Sequence, residues 1–168
     1  MEIRMRESGQ VMFEDAFRRL HQGLGLPTPL TQENINDWGA DIVLEGPQAS
    51  GGTVYQYSMR QGVQAIDGLW YTKYVLGPIF TDTPAQDDTP AKTAAENETA
   101  YRAMKDAEQA KSVRASRDDK LKSTDWTQVS DAPVDKTVWA TYRQALRDLP
   151  SAAGFPWSME WPTEPTGA

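Results

Sequence analysis

The stretch "ATYRQALRDLPSAAGFPWSMEWPTEP", residues 140–165, places a basic amphipathic helix and two Trp-Pro-rich turns near the end of the chain. Between Val134 and Leu149, apolar side chains at Val138, Tyr142, Ala145, Leu146 and Leu149 follow the i, i+4, i+7, i+8, i+11 rhythm of one helix face. Lys136, Arg143, Arg147 and Asp148 are turned elsewhere on that reading, and Pro150 ends the helix. A short helix is marginal in water unless something covers its apolar face. The covers at hand are Trp126 before it and Phe155, Trp157 and Trp161 after it, so the tail is expected to fold back onto the helix. Four of the six tryptophans fall in residues 125–168. That makes a mini-domain of about forty residues, a size that usually needs a partner or an oligomer to be stable.

Composition narrows the rest. The chain has 168 residues, of which 39% are hydrophobic, a low share for one large core, so small folded pieces joined by polar segments are expected. No window approaches a membrane-spanning run, and Met1 to Arg6 alternates charged and apolar residues where a signal peptide would build an apolar core. A soluble protein of the cytoplasm is the expectation. With no cysteine, disulfide frameworks, thiolate metal sites and cysteine nucleophiles are excluded. A net charge of −7 argues against general affinity for nucleic acid or anionic membranes.

The charge is unevenly spread. Residues 1–80 carry six basic and nine acidic groups, residues 81–90 three acidic groups alone, residues 91–124 eight basic and six acidic, and residues 125–168 three basic and six acidic. Residues 1–80 read as a small hairpin-rich α+β domain. "EIRMRESGQVMF" alternates around a turn at Ser8-Gly9, and "EDAFRRLHQ" sets Phe17 and Leu20 three apart on a helix. "TPLTQENINDWG" offers Thr31 as an N-cap, a short face of Asn34, Ile35 and Trp38, and Gly39 as the stop. "DIVLEGP" reads as a strand. In "TVYQYSMRQGVQAIDGLWYTKYVL" two β-rich runs meet at Asp67-Gly68, the pairing best suited to a tight type I′ hairpin turn.

Residues 81–90, "TDTPAQDDTP", read as an acidic linker, and residues 91–123 as a long helix started by Thr89-Pro90. Ala94, Tyr101, Met104 and Ala107 share a thin apolar face on that helix, which Glu108, Lys111 and Lys122 interrupt. The helix is expected to be an exposed spacer or a weak self-associating coil, the latter a route to a homo-oligomer. Residues 124–168 then form the helical, Trp/Pro-rich C-terminal module.

Chemistry-bearing residues are sparse. The single histidine, His21, sits at a helix end beside Arg18 and Arg19, where an exposed or capping role outweighs that of a catalytic base. Asp87-Asp88 and Asp118-Asp119 are sequence neighbours, and helix neighbours point about 100° apart, so neither pair is set for acid–base work. "GLGL", residues 23–26, lacks the lysine and further glycine of a phosphate cradle. A small hydrolase built on the acidic residues is the weakest class considered, and no cofactor or metal is expected. Because the C-terminal module is undersized, packing and binding merge there. The residues expected to meet a partner are Trp126, Trp139, Tyr142, Leu146, Phe155, Trp157 and Trp161, together with Arg143 and Arg147, four apart and able to grip an acidic surface.

"TDWTQVSDAP", then Trp139 and "YRQALRDLP", then "GFPW" and "WP", in this order and spacing, resemble the C-terminal module of phage tail assembly chaperone proteins, over roughly Arg117 to Pro165. The leading hairpin, "LTQENINDWG", "LEGPQ" and "IDGLWYTKYV" also resemble the N-terminal portion of longer phage tail proteins of this kind. The resemblance implies a non-enzymatic protein that binds tail or tail-fibre subunits in the host cytoplasm during assembly. The alternative it implies is a structural baseplate or tail-fibre adaptor retained in the virion tail. Neither nucleic acid nor a membrane is among the partners it implies.

Overall fold

The computed structural model, described for residues 1–166, is α+β and divides the chain into two units, Met1–Ile79 and Phe80–Ala168. In the first unit, β1 (Glu2–Met5) pairs antiparallel with β2 (Val11–Phe13), Glu2 facing Phe13 across the ladder. Helix α1 (Glu14–Leu20) follows at once, and α2 (Gln32–Ile35) continues into a 3-10 turn, Asn36–Trp38, that ends at Gly39. Thr31 caps α2 as expected: its hydroxyl accepts from Asn34 N, and the Asn34 side chain accepts from Thr31 N. Strand β3 (Ala40–Leu44) lies antiparallel to β1, and β4 (Tyr57–Ile66) and β5 (Leu69–Gly77) form the long hairpin.

Asp67 and Gly68 both adopt positive φ, 50° and 79°, the conformation a type I′ turn requires. The sheet order is β2-β1-β3-β5-β4, closed by a short parallel pairing of Val43 and Leu44 with Trp70 and Tyr71. That pairing joins segments more than twenty residues apart and has no local signal. At Gly62, with φ of 81°, β4 slips register between Arg60 and Val63, a bulge on the edge strand of the kind that discourages edge-to-edge pairing.

One face of the sheet is the core. Ile3, Phe17, Leu30, Ile35 and Ala40 are buried together, with Met5, Met12, Leu26, Trp38 and Ile42 packed around them. Alternation sends Glu2 and Arg4 to the opposite face. There Glu2 holds the Arg60 guanidinium in a bidentate ion pair, and Arg4 lies 3.8 Å above the Trp70 ring.

In the second unit, residues 81–93 are folded back on themselves and do not run as an open linker. Thr83 pairs with Lys92 and Gln86 with Thr89 in isolated bridges. Consequently the long helix α3 (Ala94–Ser123) starts after Thr93, four residues beyond the expected Thr89-Pro90 start. The signal that wins is a capping box: Glu96 N donates to Thr93 Oγ1 at 3.3 Å, and Thr93 N donates to the Glu96 carboxylate at 2.7 Å. The Asp82 carboxylate accepts from Ala94 N at 2.7 Å, adding negative charge at the positive end of the helix dipole.

The covered face of α3 carries Ala110 and Val113, both buried, and Leu121, whereas Met104 is 47% exposed. The C-terminal half of α3 packs into the second unit and is not a bare spacer. A 3-10 turn, Asp125–Gln128, leads to α4 (Lys136–Asp148), which ends in a final 3-10 turn at Leu149–Ser151.

Candidate partner-binding site

Asp135 starts α4 by accepting from Thr137 N at 2.9 Å and Val138 N at 3.2 Å. The helix buries Trp139, Tyr142, Arg143 and Leu146, with Leu149 buried just beyond. This face is rotated from the one the sequence suggests: Val138 is 48% exposed and Ala145 is exposed, while Trp139 takes the inner position. Trp139, Tyr142 and Leu146 form a core cluster with Leu121 of α3 and Val134. Trp139 meets the Tyr142 ring edge-on at 5.9 Å and leans against Trp126 at 6.1 Å.

Arg143 is the main correction. Expected on the outside, it is only 7% exposed. Its guanidinium donates to Leu121 O at 2.5 Å, to Thr124 Oγ1 at 2.7 Å and to the Asp125 carboxylate at 2.6 Å. The physical reason is the end of α3, which carries the negative end of its dipole and where Leu121 O otherwise has only the longer bonds from Thr124, 3.3 Å from N and 3.1 Å from Oγ1. A cation from the neighbouring helix adds a short charged bond there and complements the dipole. Arg143 therefore faces this chain and is not presented to an acidic partner, whereas Arg147 is exposed beside Gln144 and remains available.

The tail also departs from expectation, because it meets α3 before it passes α4. Trp157 Nε1 donates to the Asp106 carboxylate at 2.6 Å, Pro156 is buried, and Arg114 of α3 stands 5.3 Å from the Phe155 ring centroid. Lys120 of α3 stands 5.8 Å from the Trp161 ring. Only after Trp161 does the chain run past the outer face of α4. There two adjoining hollows of 630 Å³ and 540 Å³ share Ala145, Pro162 and Thr163 as lining.

Of the expected contact residues, Tyr142, Leu146, Trp139 and Arg143 thus hold the fold, while Phe155 and Trp157 pin the tail to α3. Trp126, at 51% exposure, Trp161, at 37%, and Arg147 are left facing outward. The sequence reading missed the outward line of Val138, Thr141 and Ala145 opposite Pro162 and Pro165. The signal that could have found it was Trp139: a tryptophan, Tyr142, Leu146 and Leu149 at i, i+3, i+7 and i+10 define a better buried face than one built on Val138 and Ala145.

Two buried polar atoms, the Tyr142 hydroxyl and Arg143 Nε, have no hydrogen-bond partner among the described residues. Burial pushes the Tyr142 hydroxyl pKa up, and the Glu164 carboxylate pushes it further. In the first unit, His21 is engaged in packing: its Nδ1 lies 2.9 Å from Phe17 O, and its ring lies 4.4 Å from Phe17 and 5.0 Å from Trp38. Among the described residues no cluster of His, Asp and Glu is placed to hold a metal ion, and no helix is long and apolar enough to cross a membrane.

Residues 110–166 match the family model described as phage tail assembly chaperone protein. Comparison with curated proteins and with solved structures gave no match. The matched span begins in the middle of α3, at the buried Ala110, and runs through α4 to the end of the described tail. It links this module to phage tail assembly, and it covers α4, the tail and the C-terminal part of α3, while the contact of Trp157 with Asp106 lies just outside it.

Proposed function

We propose, from a C-terminal module similar to phage tail assembly chaperone proteins, that this protein binds tail or tail-fibre subunits and holds them during assembly in the host cytoplasm, without catalysing a reaction. The observation that carries the reading is the coincidence of the family match with a unit that leaves large apolar side chains uncovered: Trp126, Val129, Val138 and Trp161 are all exposed. Uncovered aromatic area of this kind favours a protein partner. The test is co-expression of the full chain with each tagged tail and tail-fibre protein of the phage. Capture of one of them, lost on joint Trp126→Ala and Trp161→Ala substitution while the helix content persists, is the expected result. Failure to capture any of them would remove the reading.

A second reading, a baseplate or tail-fibre adaptor that stays in the particle, is favoured by one observation: residues 1–79 form a separate unit outside the matched span. Mass spectrometry of purified particles separates the two. Absence from the particle supports a transient chaperone, and a stoichiometric amount supports the adaptor.

A further inference from the structure

We infer that the groove between the outer face of α4 and residues 162–166 receives an extended segment of the partner that is apolar and carries lysine or arginine, and that the Tyr142 hydroxyl donates a hydrogen bond to a backbone carbonyl of that segment. The inference deepens the reading above and rests on it for the partner's identity as a tail protein. Three observations carry it.

The first is shape: the hollow lined by Val138, Thr141, Tyr142 and Ala145 on one side and Pro162 and Pro165 on the other has a volume of 540 Å³, and it adjoins a second of 630 Å³ along the same helix. Val138, Ala145, Pro162 and Pro165 give its walls apolar area between threonines, and the prolines contribute no N–H, so the wall they form offers few backbone donors to an entering chain. The second is charge. Asp148, Glu160 and Glu164 line the two hollows, no Lys or Arg does, and none of the three carboxylates has an ion-pair partner among the described residues. An occupant that places cations on this rim is favoured, and one that brings carboxylates is repelled.

The third is the orphan donor. Tyr142 is only 4% exposed, it lines the groove, and its hydroxyl finds no partner among the described residues. Phenylalanine would fill the same core position without the cost of an unsatisfied buried hydroxyl. A hydroxyl retained there is explained by an acceptor arriving from outside, and an extended backbone passing through the groove supplies carbonyls at regular spacing.

The test uses the full chain and two short synthetic peptides, one of leucine, proline and lysine and one with glutamate at every lysine, followed by amide shifts and fluorescence titration. The lysine peptide should bind and shift the amides of Ala145, Thr163 and Glu164, and the glutamate peptide should not. Tyr142→Phe should weaken binding about fivefold, the loss of one hydrogen bond, while the thermal midpoint stays unchanged or rises. Glu160→Lys with Glu164→Lys should abolish the preference for the lysine peptide, and Ala145→Trp, at an exposed position, should block the groove with the fold kept. Equal binding by wild type and Tyr142→Phe, equal binding of both peptides, or shifts outside the groove would each overturn the inference. If those results appear while the full chain still captures a tagged tail protein, the groove is wrong and the proposed function stands. If the lysine peptide binds as stated and no tail protein is captured, the groove stands and the proposed function falls.

Discussion

The guanidinium of Arg143 joins two helices by satisfying the end of one from the side of the other. Replacing it with alanine removes the short charged bonds to Leu121 O and Thr124 Oγ1, leaving Leu121 O only its longer bonds from Thr124, and takes the cation from the dipole end of α3, a loss of about 2–3 kcal/mol. Arg147→Ala, at an exposed position, should change stability by less than about 0.5 kcal/mol. Urea unfolding followed by circular dichroism measures both, and equal effects would mean Arg143 is not the anchor described. The two arginines look alike in the sequence because a polar–apolar pattern scores any arginine as outward-facing. What distinguishes them is a helix end on another element, which periodicity along one helix does not encode. Tyr142 was legible as a core residue, but its unpartnered hydroxyl is a property of the packed surroundings alone.

At the scale of elements, α3 has one covered face, and substitution should find it. Val113 is buried, so Val113→Ala should cost about 2 kcal/mol, whereas Met104→Ala should be nearly neutral. The reverse order in a thermal melt would place the covered face where the sequence suggested, along Tyr101 and Met104. The start of α3 has its own test. Hydrogen bonds from Thr93 hold the Glu96 carboxyl below its ordinary pKa. A carboxyl depressed in the folded state adds stability above its unfolded pKa and loses it as pH falls through the folded value. Protection of the first-turn amides of α3, their exchange measured relative to an unstructured chain at the same pH, should therefore fall on acidification, and in Glu96→Gln that fall should shrink. An unchanged pH response in that variant would show that the cap is not the cause. The elements themselves were largely legible, because Thr31, Asp67-Gly68 and Pro150 act through neighbours in sequence. The parallel pairing of β3 with β5 and the docking of Trp157 on Asp106 were not, since they join residues far apart in the chain.

For the whole molecule, the two units Met1–Ile79 and Phe80–Ala168 are proposed to fold separately, with the acidic stretch after residue 80 belonging to the second. A fragment of residues 80–168 keeps Leu121, which packs against the α4 cluster and whose carbonyl Arg143 bonds, together with the buried Ala110 and Val113 of α3. A fragment of residues 124–168 loses all of them and should be unfolded by circular dichroism. A shift from charged helix-former to Trp/Pro-rich sequence suggested a boundary near residue 124, yet composition changes there while packing continues across it. The most direct measurement is co-expression of the full chain, residues 80–168, residues 124–168 and residues 1–79 with the tagged tail and tail-fibre proteins of the phage, scored for capture beside helix content. The predicted result is capture by the full chain and by residues 80–168, with none by the shorter C-terminal fragment. Capture by residues 1–79 alone, or by residues 124–168 as well as by the full chain, would contradict the assignment of partner binding to the packed unit of α3, α4 and the tail.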